Sequence, residues 1–374
     1  MASSHTCEVK GSGFPSILSK RETIENLILF EEEKGNLRKR GRGFHYSGPS
    51  DDIWNKFYNP ESYDIFVNTN RRVTENKKVF VDYVLFKDFS PDGVIRITNP
   101  TSETKVLVST SSFFYCSSNT SHGGSIYFAT VMHEGEGSCI QYKVCSYESK
   151  TSISSGSGTH SYILVAEDDG NHKNFVIESS FTQNTGYEAV LHHRYGSILF
   201  SSINISYSKL EWNAAYISFL PYSLSTTNFS NFDNISSNKQ SCFYHDLNTH
   251  NFYFCNVIDN NLLENENGRG IFYFSNVVEL SVKQSFFKGN NASYLFFIFN
   301  GSPATVKECH FESNTFPTNE EYIQDSKSMT KLNLPNLYSS SLCEPPIRNK
   351  KDSIFIPYIP ISNLFSFQPS IYSK

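Results

Sequence analysis

Phe287-Lys-Gly-Asn290, followed 24 residues later by Phe311-Glu-Ser-Asn314, pairs an apolar residue with an asparagine three positions on. The same pattern occurs at Cys116-Ser-Ser-Asn119, Phe181-Thr-Gln-Asn184, Ile235-Ser-Ser-Asn238 and Ile258-Asp-Asn-Asn261. Weaker copies start at Tyr147 and Ile203, which makes eight anchors separated by 22 to 34 residues. Spacing in this range is the mark of a repeat architecture. The apolar runs between anchors, such as Ser197-Ile-Leu-Phe200 and Ile271-Phe-Tyr-Phe274, have strand length. Each period therefore fits one turn of a parallel β-solenoid, in which strands stack about 4.8 Å apart and the apolar member lies inside a narrow core. The asparagine is expected at a bend, tolerating left-handed backbone angles and forming a ladder with its copies above and below. A β-sandwich with asparagine-rich turns is the alternative, and it would need no repeat.

Composition agrees with strands. Aromatic residues make up 15% of the 374, against only 8 alanines. The chain is thus rich in strand formers and poor in the best helix former, which excludes a helical bundle. Pro221 is the single proline between Thr101 and Ser302, whereas seven of the 14 lie at or after Pro317. Proline has no N–H for a ladder, so the middle of the chain is expected to be sheet and the end is not. A net charge of -5 offers no basic field for nucleic acid.

Cys116-Ser-Ser-Asn119 is followed closely by Gly123-Gly124-Ser125-Ile126-Tyr127. Together these resemble the repeat pair of polymorphic outer membrane proteins and of related right-handed β-helix surface proteins in parasitic protists. The resemblance implies an all-β, right-handed parallel β-helix (solenoid), exposed at a surface and used in adhesion or recognition. It supplies no catalytic residues. The Gly-Gly half occurs once here, and the other turns keep only the first half or a degraded form of it.

Three regions follow: an N-terminal cap over residues 1–75, the β-helix over 76–318, and an irregular proline-rich C-terminal tail over 319–374. Ser19-x-x-Glu22 reads as a capping box ahead of a short helix, with a strand starting at Leu27 to Phe30 as the equal alternative, and Val79 opens the first regular strand. No stretch is long and apolar enough to cross a bilayer, and the first residues lack the apolar core of a signal peptide. Six glycosylation sequons, at Asn119, Asn204, Asn228, Asn234, Asn291 and Asn300, are what 35 Asn among so many Ser and Thr give by chance.

Four groups carry chemistry on paper. Cys242, His245, His250 and Cys255 are zinc-ligand types at the wrong spacing for a finger, with strand residues between them. Glu167-Asp168-Asp169-Gly170, with His192-His193-Arg194 downstream, is the nearest approach to the paired acids of β-helix polysaccharide hydrolases and lyases. Asp-Asp-Gly-Asn is also ordinary loop chemistry. The basic cluster from Lys34 to Arg42 adjoins Glu31, Glu32 and Glu33 and reads as a solvated loop. The eight cysteines form no C-x-x-C pair.

The reading is a non-enzymatic binding or adhesion module, with no catalytic, cofactor-binding or metal-binding residue assigned. Its partner is a protein or carbohydrate ligand, with no nucleic acid and no membrane-spanning segment. The expected location is extracellular or at the cell surface. The competing reading is a carbohydrate-active enzyme centred on Asp168, Asp169 and His192 or His193.

Overall fold

In a computed structural model, the described residues are 51–334 apart from 121, 131–134, 168–170, 223, 263–269, 300–302 and 316–322. They form the expected parallel β-helix. One turn consists of Ser197–Ser201, Asn204–Ser206, Lys209–Leu210 and Asn213–Phe219; the next consists of Leu224–Asn228, Asn231–Asp233, Ser236–Ser237 and Ser241–Asp246. Each strand pairs in parallel with its equivalent, Leu199 with Thr226, Ile205 with Phe232, Leu210 with Ser237 and Tyr216 with Phe243. Four strand stacks result, here called first to fourth in chain order within a turn. The fourth contains eight strands. One short strand, Ile65–Val67, pairs ahead of the strand expected at Val79.

The first corner is set by one left-handed residue per turn, from Tyr83 and Thr110 through Phe229 and Phe254 to Gln284 and Glu308. These residues share no side-chain type. The position after them does carry a pattern: Val84, Ser111, Val144, Ser179, Ile203, Ser230, Cys255, Ser285 and Cys309 alternate apolar or thiol with serine, and all are buried. Each serine hydroxyl accepts from the N–H one turn below, as Ser230 does from Ile203 (3.1 Å), and donates to the carbonyl two residues back (Asn228, 2.7 Å). That arrangement satisfies a buried corner without water.

The inward row of the second stack runs Phe86, Phe113, Ser146, Phe181, Ile205, Phe232, Val257, Phe287, Phe311. Phe181, Phe287 and Phe311 were expected there. Ile258 was too, but Val257 takes the position and Ile258 faces outward, because side chains alternate along a strand and a one-residue error reverses the face. Cys116 and Ile235 fall three residues beyond the row, so those two motifs were read out of phase.

Asn184, Asn260, Asn290 and Asn314 stand three residues after the row. Asn290 Oδ1 accepts from Asn260 N–H (3.1 Å), Asn290 N–H donates to Asn314 Oδ1 (3.0 Å), and Asn290 Nδ2 donates to the Val257 carbonyl (2.8 Å). Asn260 likewise accepts from Ile235 N–H (2.9 Å) and donates to the Phe232 carbonyl (3.1 Å). The ladder exists, with Asn260 in place of the expected Asn261. Its basis is side-chain bonding to neighbouring turns; the left-handed residue is the one before. Asn290→Ala orphans a buried N–H and a buried carbonyl and is expected to lower stability by about 1–3 kcal/mol in urea unfolding; a loss near zero would remove the ladder's role.

Gly123 has φ +71, and a Cβ on Gly124 would lie 2.1 Å from the Thr159 carbonyl, so the single Gly-Gly pair answers a tight entry into the fourth stack.

Outside the coil, the helix Asp51–Tyr58 begins with two acids and ends before the Asn59–Pro60 bond, as helix-dipole and proline chemistry favour. Its Trp54, Phe57 and Tyr58 cover Phe80, Leu107, Ile140 and Tyr142 on the outer face of the first stack. No described helix is long and apolar enough to cross a membrane. The capping-box segment, the basic cluster and the prolines from Pro335 onward lie outside the described residues.

Candidate binding face

Strand alternation sends every second side chain of the fourth stack outward. In register these form the row Arg96, Tyr127, Tyr162, His192, Ile217, Tyr244, Tyr273, Phe297. Tyr127 and Tyr162 stack at 5.7 Å between ring centroids, Tyr162 meets His192 at 4.7 Å, Tyr244 meets Tyr273 at 5.1 Å and Tyr273 meets Phe297 at 5.5 Å. Arg96 lies 4.5 Å from the Tyr127 ring and closes one end. Two aromatic runs are thereby separated by Ile217.

Polar groups gather at that break. Arg194, Phe219 and Asp246 are aligned in a second outward row, with the Arg194 guanidinium 4.1 Å from the Phe219 ring. His192 Nδ1 bonds the Ser157 hydroxyl and lies 3.8 Å from the Glu188 carboxylate. Asn213 donates to Glu188 (3.1 Å) and accepts from Ser241 (2.6 Å). Burial raises the pKa of Glu188 against the hydrogen bonds from Ser157 and Asn213, and raises that of Asp246 against those from Ser275 and Asn276. Arg194 acts on both carboxyls, lowering each. Burial, and then Arg194, holds His192 well below the usual imidazole range. Burial and Asp246 push Tyr244 up to about 12. His192 Nε2, Arg194 Nε and Asp246 Oδ1 are left without a hydrogen-bond partner, which is unusual for buried polar atoms and asks for an explanation.

The triplet His192-His193-Arg194 is thus split by the strand. His192 and Arg194 face out, whereas His193 faces the core, its Nε2 2.9 Å from the Ser161 hydroxyl and its ring against Phe200. Asp168 and Asp169 lie outside the described residues, and Glu167 is exposed. Glu188 and Asp246 were missed by the sequence reading. The two-residue period in His192-His-Arg194 and Tyr244-His-Asp246 is the signal that would have found the face.

His245 and His250 meet inside the coil, Nδ1 to Nδ1 at 2.8 Å. Tyr216 Oη lies 3.0 Å from His245 Nε2 and accepts from Thr227, while His250 Nε2 donates to the Leu247 carbonyl at 2.7 Å. One Nδ1 must accept from the other, so the two rings cannot both be fully protonated, and burial lowers the pKa of each. Cys242 and Cys255 are buried free thiols. Among the described residues no group of three or more His, Cys, Asp or Glu side chains converges on a metal position.

The chain matches no family model, no curated protein and no solved structure.

Proposed function

We propose that the protein is a non-enzymatic binding or adhesion module of the polymorphic outer membrane protein type. Its ligand lies along the outer face of the fourth stack, outside the cell or at its surface. The observation that carries this reading is the in-register outward row with unpartnered polar atoms on His192, Arg194 and Asp246 at its break. A protein or glycan that supplies hydroxyl or amide groups there satisfies both the guanidinium and the carboxyl.

The test uses fluorescently labelled full-length protein on a printed array of neutral and acidic oligosaccharides and on fixed epithelial cells. Arg194→Ala combined with Asp246→Ala is expected to reduce retention at least tenfold, and Lys288→Ala on the second stack is expected to leave it unchanged. Undiminished retention by the double variant would overturn the reading, as would new reducing ends in the bound glycan.

A further inference from the structure

His192 Nδ1 has two neighbours: the Ser157 hydroxyl, to which it is hydrogen-bonded, and the Glu188 carboxylate at 3.8 Å. Ser157 also hydrogen-bonds Glu188, and burial keeps the His192 ring neutral. A hydroxyl has one proton and an ionised carboxylate only accepts, so Ser157 donates to Glu188 and its oxygen accepts from His192 Nδ1–H. That relay fixes the tautomer. Nε2 therefore carries a lone pair, and it is buried without a partner. Arg194 Nε and Asp246 Oδ1 are buried without a partner as well. The break in the aromatic row thus holds two unmet acceptors, on His192 and Asp246, and one unmet donor, on Arg194.

Few ligands match that set. A carboxylate or sulfate accepts and never donates, so it leaves both acceptors unmet and sets its charge against Glu188 and Asp246. An ammonium or guanidinium only donates, and it meets the like charge of Arg194. Hydroxyls do both. His192 and Arg194 stand two residues apart on one strand, about 7 Å, and Arg194 and Asp246 are in register two turns apart, about 10 Å. Ile217 and Phe219 occupy the turn between them. A peptide laid there sets an amide against these apolar side chains every 3.3 Å or so, with three polar atoms to receive its N–H and C=O groups. A sugar chain packs its C–H faces on them and turns its surplus hydroxyls to water.

Resting on the binding face assigned above, we infer that its ligand is a neutral oligosaccharide of more than one sugar unit, whose hydroxyls donate to His192 Nε2 and Asp246 Oδ1 and accept from Arg194 Nε. His192 then sets specificity, because its lone pair requires a donor that a uronic acid carboxylate cannot supply.

The experiment titrates the full-length protein with neutral pentasaccharides of glucose, galactose, mannose and N-acetylglucosamine, with the galacturonic acid pentasaccharide, and with a library of extended peptides. At least one neutral sugar is expected to bind, and the galacturonic acid chain at least tenfold more weakly than the best of them. Nitrogen-15 spectra of histidine-labelled protein are expected to show His192 protonated at Nδ1 alone, with its Nε2 resonance moving when that sugar is added. His192→Phe is expected to lose at least tenfold in affinity; where it folds poorly, the wild-type spectrum decides. Binding of peptides alone, preference for the acidic sugar, a proton on Nε2, or failure of all four neutral sugars to bind would overturn the ligand class. Sugar binding undiminished in Arg194→Ala combined with Asp246→Ala would instead overturn the face itself.

Discussion

Between pH 6.5 and about 4.5 the β-helix is expected to lose most of its stability and unfold cooperatively. Five histidines are buried without charge: His160, His193 and His245 inside the coil, His250 beside His245, and His192 on the outer face. Burial pulls His160 and His193 down to about 3 and His250 to about 4, and lowers His192 and His245 as well. Their contribution is complete above the unfolded value of 6.5 and is lost as pH falls toward the folded values, because only the unfolded chain takes up the protons. Two pH units below 6.5, His160, His193 and His250 have each forfeited roughly 3 kcal/mol. Three such losses approach a typical total stability of about 5–15 kcal/mol. Asp82, Glu188, Asp233 and Asp246 work in the opposite direction, since burial raises each of them; Asp82, raised to about 6, returns only about 2 kcal/mol over the same interval. Circular dichroism against pH checks this, with His193→Gln and His245→Gln together shifting the midpoint to lower pH. A native spectrum and a cooperative melt at pH 3.5 would contradict it.

Phe287→Ala is expected to cost about 3–5 kcal/mol in urea unfolding. Its ring is 0% exposed and lies 5.1 Å from Phe311, 6.1 Å from Phe296 and 6.2 Å from Phe272. Stacked turns hold their spacing through main-chain ladders, so neighbours cannot collapse into the void and the cavity penalty stays high. Phe311, half-buried at the end of the described row, is the internal control and should cost less. A loss below 1 kcal/mol at Phe287 would show that the inward row is misassigned.

The repeat was legible because Phe181, Phe287 and Phe311 keep one phase and Asn184, Asn290 and Asn314 recur behind them. Phase slipped at Ile258, Cys116 and Ile235 because neighbouring apolar residues satisfy the same short pattern, and only the pairing register chooses between Val257 and Ile258. The first corners were illegible for another reason. Their left-handed residues include Tyr, Lys, Glu and Phe, a choice imposed by the tertiary ladder against local preference. The serine alternation from Ser111 to Ser285 was present in the sequence, but it emerges only when turns of 24 to 35 residues are aligned on those corners. The binding face was half-legible: His192 and Arg194 stood out, whereas Glu188 and Asp246 come from separate turns and are brought within reach of Arg194 only by the coil. The helix Asp51–Tyr58 escaped because its apolar side is short and depends on Phe80, Leu107 and Ile140 for a surface to cover.

In-register stacking of the turns is the claim on which the core, the ladder and the outward rows all depend, and distances between spin labels test it most directly. Phe175, Leu199, Thr226, Asn251, Ser281 and Thr305 occupy one outward row of the first stack. Nitroxide labels at Leu199 and Thr305, four turns apart, are predicted at about 19 Å, and labels at Phe175 and Thr305, five turns apart, at about 24 Å. Separations that do not grow by about 4.8 Å per turn would contradict the β-helix and every site built on it.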